Sequence, residues 1–227
     1  MSGSITLENR FGVNKMELIS LKYAIFVIVL LVLYYCFPKK YRWYVLLAGS
    51  MAYYVIICKW YVLFIIFTIC TTYGSTIWID KLLKKQNAIV KSHKEDWDRQ
   101  TRKEYKEKGR KKRVAVMLFA LLCNFGILAF LKYIPYAGEL GLLLPLGISF
   151  YTFQSMGYVM DVYREIVEPE KNFLKVALFV SFFPQIIQGP IAIYDKLAGQ
   201  LYEGHSLRLE NLQKGALLVL WGVIKKL

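Results

Sequence analysis

Only two histidines and four cysteines occur in this chain, and neither set has the spacing of a metal or redox site. Cys36, Cys58, Cys70 and Cys123 all fall inside apolar runs and form no C-x-x-C pair, so they read as packing residues and leave the redox compartment open. No N-x-S/T sequon marks a glycosylated face. The first apolar run, Leu18 to Phe37, ends in Phe37-Pro38-Lys39-Lys40 and lacks the small-residue pair that a signal peptidase needs, which makes it a retained span. Acidic residues are scarce as well, 16 against 30 Lys and Arg, and the net charge is +14. Basicity alone points to nucleic acid or an anionic surface. Here 56% of the residues are hydrophobic and are gathered in long runs with the charge between them, which excludes a basic nucleic-acid binder and points to a polytopic helical membrane protein.

The runs set an expected topology. After the basic turn at Lys39, Lys40 and Arg42, apolar sequence continues from Trp43 to Ile79 with Lys59 as its one interruption. A single helix of that length would overshoot a bilayer core of about 30 Å, so two spans meeting near Lys59 are expected. Thr68, Thr71, Thr72, Ser75 and Thr76 in the second of them suit close helix packing in lipid. Residues 80–113 then carry fourteen Lys and Arg against six Asp and Glu. This basic arm reads as a solvated helix with pairs such as Glu95 with Arg99, Asp98 with Arg102 and Glu104 with Lys108, lying on the cytoplasmic side where positive charge accumulates. Its last cluster, Lys108 to Arg113, abuts the fourth span, Val114 to Leu131, and suits anionic lipid. His93, within the arm, reads as solvated.

Two further uncharged segments, Leu140 to Met160 and Val176 to Tyr194, are long enough to cross yet oddly built. Pro145, Gly147, Ser149, Thr152, Gln154 and Ser155 punctuate the first; Pro184 and Gly189-Pro190 interrupt the second. Unpaired backbone groups cost several kcal/mol in hydrocarbon, so such breaks are expected only where protein or a water-filled cavity covers them. Gln154, Tyr158, Asp161 and then Arg164 or Glu165 follow at spacings of three and four, one face of a helix. That stripe either marks the membrane edge or lines a polar tunnel whose opposite wall holds Gln185, Gln188, Gly189 and Pro190. Residues 145–191 are accordingly the candidate site region of a single membrane domain covering residues 1–227. Whether the second broken segment spans or re-enters is left open by its length. The polar connection Asp195 to Asn211 holds His205 and a candidate helix N-cap in Ser206, and the apolar stretch from Gly215 to Leu227 is too short to cross.

Three motifs, Pro145-Leu-Gly-Ile-Ser-Phe150, Asp161-Val-Tyr-Arg164 and Phe183-Pro-Gln-Ile-Ile-Gln-Gly-Pro190, resemble the membrane-bound O-acyltransferase (MBOAT) family, in the branch that O-acetylates alginate and other envelope polymers. Asn172-Phe173 and Trp221-Gly-x-x-Lys-Lys fit the same pattern, while Gln185 stands where several alginate-type members have histidine. The resemblance implies an all-α scaffold of about six spans with a broken or re-entrant segment, in a bacterial inner membrane. It implies transfer of an acyl group, acetyl above all, to hydroxyls of an envelope polysaccharide. The donor would be acyl-coenzyme A or an acyl-carrier protein, with no covalently bound cofactor and no metal. Further partners would be the lipid bilayer and an envelope polymer or a periplasmic or extracellular transferase, without nucleic acid. The family's catalytic histidine lies in a tryptophan-rich segment expected beyond Leu227, so neither His93 nor His205 takes that role and the chain is expected to be the inactive N-terminal half. The alternatives are a transporter or channel component and a non-enzymatic scaffold.

Overall fold

The structure is a computed structural model that describes residues 21–93, 97–133, 147–188 and 191–226. Among these residues every regular element is a helix: α1 (Leu21–Cys36), α2 (Arg42–Cys58), α3 (Val62–Ser92), α4 (Arg99–Tyr133), α5 (Ile148–Tyr163), α6 (Phe173–Ser181), α7 (Phe183–Gln188), α8 (Tyr194–Tyr202) and α9 (Leu209–Lys226). A 3-10 turn at Lys39–Tyr41, entered from Pro38, joins α1 to α2. The long apolar run divides at a second 3-10 turn, Lys59–Tyr61, where Lys59 takes a positive φ of 47°.

Two stretches, Lys39–Ser92 (which holds α2 and α3) and Arg99–Tyr133, are long and apolar enough to cross a membrane. The distribution of side chains says the same. Ile28, Phe119 and Leu122 are 62%, 68% and 72% exposed, whereas Thr72, Thr76 and Ser155 are fully buried. Water would reverse that pattern, and hydrocarbon permits it. This is a membrane protein.

The interior is built around α5 and α6. Nine residues of α5, from Ile148 to Val162, and the unbroken run Val176 to Ser181 are buried. One stripe of α3 (Ile65, Thr68, Ile69, Thr72, Thr76 and Ile79) faces them at helical spacing. The α3 hydroxyls bond back to their own helix, Thr72 to the Thr68 carbonyl at 2.6 Å and Thr76 to the Thr72 carbonyl at 2.9 Å, leaving a narrow apolar surface for packing. Asn124 of α4 reaches across to the Thr71 hydroxyl at 2.9 Å.

The basic arm differs from the single solvated helix expected of it. It is divided between the end of α3 and the start of α4, which pack together as a hairpin continuous with the spans. Gln86 donates to the Lys106 carbonyl at 3.1 Å across this hairpin, and the ion pairs formed include Lys84–Asp80 at 2.6 Å and Lys111–Glu107 at 3.6 Å. Glu95 lies outside the described residues. The polar connection after residue 191 is likewise helical in part: α8 buries Tyr194, Ala198 and Leu201. Ser206 does not cap α9, which begins three residues later at Leu209. Apolar side chains of α9, Leu217 and Leu218 among them, are exposed.

Candidate functional site

The segment that carries Pro184 is where the fold departs most from regular helix. The nine residues of α6 end at Ser181, the ψ of 106° at the following Phe182 turns the chain out of helical geometry, and α7 restarts at Phe183. Pro184 thus stands in the first turn of α7, where a missing amide goes unnoticed and the fixed φ suits a helix start. In a continuous helix the Phe183 amide would donate to the Phe179 carbonyl. The break separates that pair, and each half finds another partner. The Phe183 amide donates to the Ser50 hydroxyl of α2 at 3.4 Å, and the Phe179 carbonyl accepts from the Gln154 side chain of α5 at 2.8 Å. Ser50 is fully buried and Gln154 nearly so.

More buried polar atoms surround this point. The hydroxyls of Ser181 and Ser155 and the amide oxygen of Gln185 are buried with no hydrogen-bond partner among the described residues. The rings of Tyr54 and Tyr151 meet edge to face at 6.3 Å within the same core. These groups can hydrogen-bond a hydroxyl-bearing ligand, but hydroxyls and amides alone offer no proton acceptor that titrates near neutral pH. Pro184 also lines a cleft of about 370 Å³ between α1, α2, α7 and α8, together with Tyr34, Phe182 and His205. His205 there engages the Gln200 carbonyl through Nε2 at 3.0 Å, and its own carbonyl accepts from Arg42. His93 is exposed and stacks on Trp97.

The helical stripe on α5 does not form one wall. Gln154 meets the break, but the Tyr158 hydroxyl accepts from the Glu170 amide at 2.8 Å while its ring stacks on Tyr194 at 4.1 Å. Asp161 and Arg164 sit at the end of α5, Arg164 exposed. Glu165 lies beyond the helix altogether. Its φ of 63° and the bonds from the Glu165 amide to the Val162 carbonyl and from the Ile166 amide to the Asp161 carbonyl form a Schellman cap, with glutamate in the place glycine usually takes. The backbone of Gln188 ends α7, but its side chain, Gly189 and Pro190 lie outside the described residues, as does Pro145. Among the described residues no three His, Cys, Asp or Glu side chains converge as a metal site requires.

Other groups lock the turn between α5 and α6. Asn172 caps α6 by accepting from the Leu174 amide at 3.0 Å, Tyr73 donates to the Lys171 carbonyl at 3.0 Å, and Tyr202 of α8 donates to the Lys175 carbonyl at 2.8 Å. Burial pushes the Tyr202 phenol well above its ordinary value, so it remains a donor through any physiological pH. Ser50 is the residue that sequence reasoning missed. A lone serine after Gly49 in an apolar run gives no periodic signal, and its partner lies 133 residues away.

No family model matches the chain, and no solved structure does. Curated proteins do. The chain is 40% identical to the "probable alginate O-acetylase" of Pseudomonas syringae pv. tomato over 84 residues, which is 37% of this chain and 16% of that relative. The protein of the same description from Pseudomonas aeruginosa is 36% identical over 85 residues, 37% of this chain and 16% of the relative. A peptidoglycan O-acetyltransferase of Helicobacter pylori is 30% identical over a 148-residue alignment, 48% of this chain and 28% of the relative. The matches therefore span between about a sixth and just over a quarter of the relatives' own lengths. Over part of its length the chain is similar to bacterial proteins named for the O-acetylation of alginate and of peptidoglycan, which is the relationship its three motifs implied.

Proposed function

We propose that the chain forms part of a multi-pass O-acyltransferase of the bacterial inner membrane that transfers an acyl group, acetyl in the first instance, to hydroxyls of an envelope polysaccharide. Its similarity to O-acetylases of two different envelope polymers is the observation that carries this reading. The geometry adds a reason for the broken segment: a gap in a buried helix, held by Ser50 and Gln154 and flanked by polar atoms without partners, gives a hydroxyl-bearing substrate or donor a polar place inside a protein otherwise faced with hydrocarbon. The Gln154, Tyr158, Asp161 and Arg164 stripe, with Gln185, Gln188, Gly189 and Pro190, would then belong to the walls along which substrate moves. The donor would be acyl-coenzyme A or an acyl-carrier protein, reaching the site from the side of the basic arm.

Deleting the gene for this chain in its host and measuring acetate released from the envelope polysaccharide by mild alkali tests the reading. Loss of the acetate, restored by the intact gene, is the expected outcome; unchanged acetylation across all envelope polymers overturns it.

In the arrangement we propose, α1, α2, α3, α4, α5 and the α6–α7 pair make six crossings, with the α3–α4 hairpin tip in the cytoplasm. A cysteine at Ser92, in a variant whose four native cysteines are replaced, is expected to react with a membrane-impermeant maleimide only after the cells are opened. Labelling of intact cells reverses the orientation.

A further inference from the structure

A second polar site lies away from the helix break, where the α3–α4 hairpin leaves the apolar part of the molecule. An open cleft of about 430 Å³ is lined there by Lys103, Lys106, Arg110 and Arg113 of α4, by Gln86 of α3, and by Glu165. The four cations follow at spacings of three, four and three, so they stand in one row along the hairpin groove. Both acids in the cleft already have partners: Glu107 pairs with Lys111, outside the cleft, and Glu165 pairs with Arg113 itself at 3.1 Å. Among the described residues no acidic side chain pairs with Lys103, Lys106 or Arg110.

Two features separate this groove from an ordinary basic surface. Arg113 is 8% exposed, and its Nε–H has no acceptor among the described residues. A buried donor left in that condition costs more than the bond it lacks would contribute, unless a ligand supplies an acceptor. Its partner Glu165 is held in the left-handed backbone region, which an L side chain with a Cβ disfavours by about 1 kcal/mol or more. Such strain persists where surrounding structure fixes it, and it clusters at binding sites. The close approach of the two helices fixes the groove: a Cβ at Gly109 would stand 2.3 Å from the Gln86 amide oxygen.

We infer that this groove binds a phosphate group. A carboxylate could engage one or two of the cations, whereas the three oxygens and double charge of a phosphate monoester or diphosphate match a row of three or four. The groove sits at the level where Arg113 meets Val114, the first residue of an apolar stretch, which is also the level of a phospholipid headgroup. The same chemistry therefore has two sources, a soluble phosphorylated molecule and a lipid whose headgroup carries a phosphate monoester. The inference stands apart from the acyl-transfer reading and survives its failure.

Both sources can be tested on the full chain. In neutral maltoside detergent, binding of radiolabelled pyrophosphate is followed by equilibrium dialysis. In a parallel arm the chain is held in nanodiscs of phosphatidylcholine with or without phosphatidic acid, whose headgroup is a phosphate monoester, and retained lipid is read by native mass spectrometry. Binding is expected in at least one arm, and the responding arm names the source. The double variant Lys106→Gln/Arg110→Gln is expected to weaken it about tenfold or more, and Arg113→Lys, which keeps the charge but loses the Nε donor, to weaken it as well. Lys91→Gln, exposed on α3 outside the groove, is expected to leave it unchanged. No binding in either arm, equal weakening by Lys91→Gln, or wild-type affinity in Arg113→Lys overturns the inference.

Discussion

Replacing Gln154 by leucine is expected to destabilise the protein by about 2 kcal/mol in a detergent unfolding titration, although leucine suits a membrane helix at least as well as glutamine. The loss comes from the partner. Hydrogen bonds between membrane helices are worth only about 0.6 kcal/mol on average, because helices separated in lipid find other partners. The Phe179 carbonyl has no such alternative: it is fully buried, and the amide that would pair with it in a regular helix is turned toward Ser50. Ser50→Ala frees the other half of the same broken pair and, with a bond of 3.4 Å, is expected to cost less, about 1 kcal/mol. The double variant then distinguishes two origins of the break. Additive losses mean that the Pro184 ring, which crowds the carbonyl one turn earlier, holds α6 and α7 apart by itself. A double variant at least about 1 kcal/mol more stable than the sum means that the two freed groups have paired with each other and that Ser50 and Gln154 had been keeping the helix open.

Gly147→Ala is expected to have an effect at least as large, about 2–4 kcal/mol, from two sources that add. Gly147 precedes α5 with a φ of 70°, a conformation that disfavours any Cβ. A Cβ there would also stand 2.3 Å from the Ile186 side chain and 2.5 Å from the Ile186 carbonyl oxygen. A side-chain methyl can move aside. The backbone carbonyl of α7 cannot do so without shifting the helix that follows the break. The control lies on the same helix: Gly157 has open space where a methyl would stand and ordinary helical geometry, so Gly157→Ala is expected to be neutral or to stabilise by up to about 1 kcal/mol. Equal losses at both positions would refute the account of Gly147.

The parts of the fold that were legible in the sequence are those set by length and solvent. The apolar run from Trp43 to Ile79 exceeds a bilayer, and it divides at Lys59. The hydroxyls of α3 do lie on its packed face. Tertiary relations were less legible. Spacing put Gln154, Tyr158, Asp161 and Glu165 on one stripe, but Tyr158 is taken by the Glu170 amide and Glu165 leaves the helix through its left-handed cap to meet Arg113. Charge density marked residues 80–113 as solvated without showing that they belong to two helices, because helical periodicity cannot be read where nearly every side chain is polar. Ser50 carried no local signal at all, since its role exists only through a partner distant in the chain.

The split hydrogen bond also constrains the order in which the chain is assembled in the membrane. Alone in hydrocarbon, α6 and α7 would expose the Phe183 amide and the Phe179 carbonyl without partners, at several kcal/mol each. Their partners, Ser50 on α2 and Gln154 on α5, both precede them in the chain and emerge first from the ribosome. In the six-crossing arrangement proposed above, the broken segment therefore partitions into the bilayer only onto helices already in place. Its insertion is a tertiary event, governed by what the earlier helices offer rather than by its own hydrophobicity.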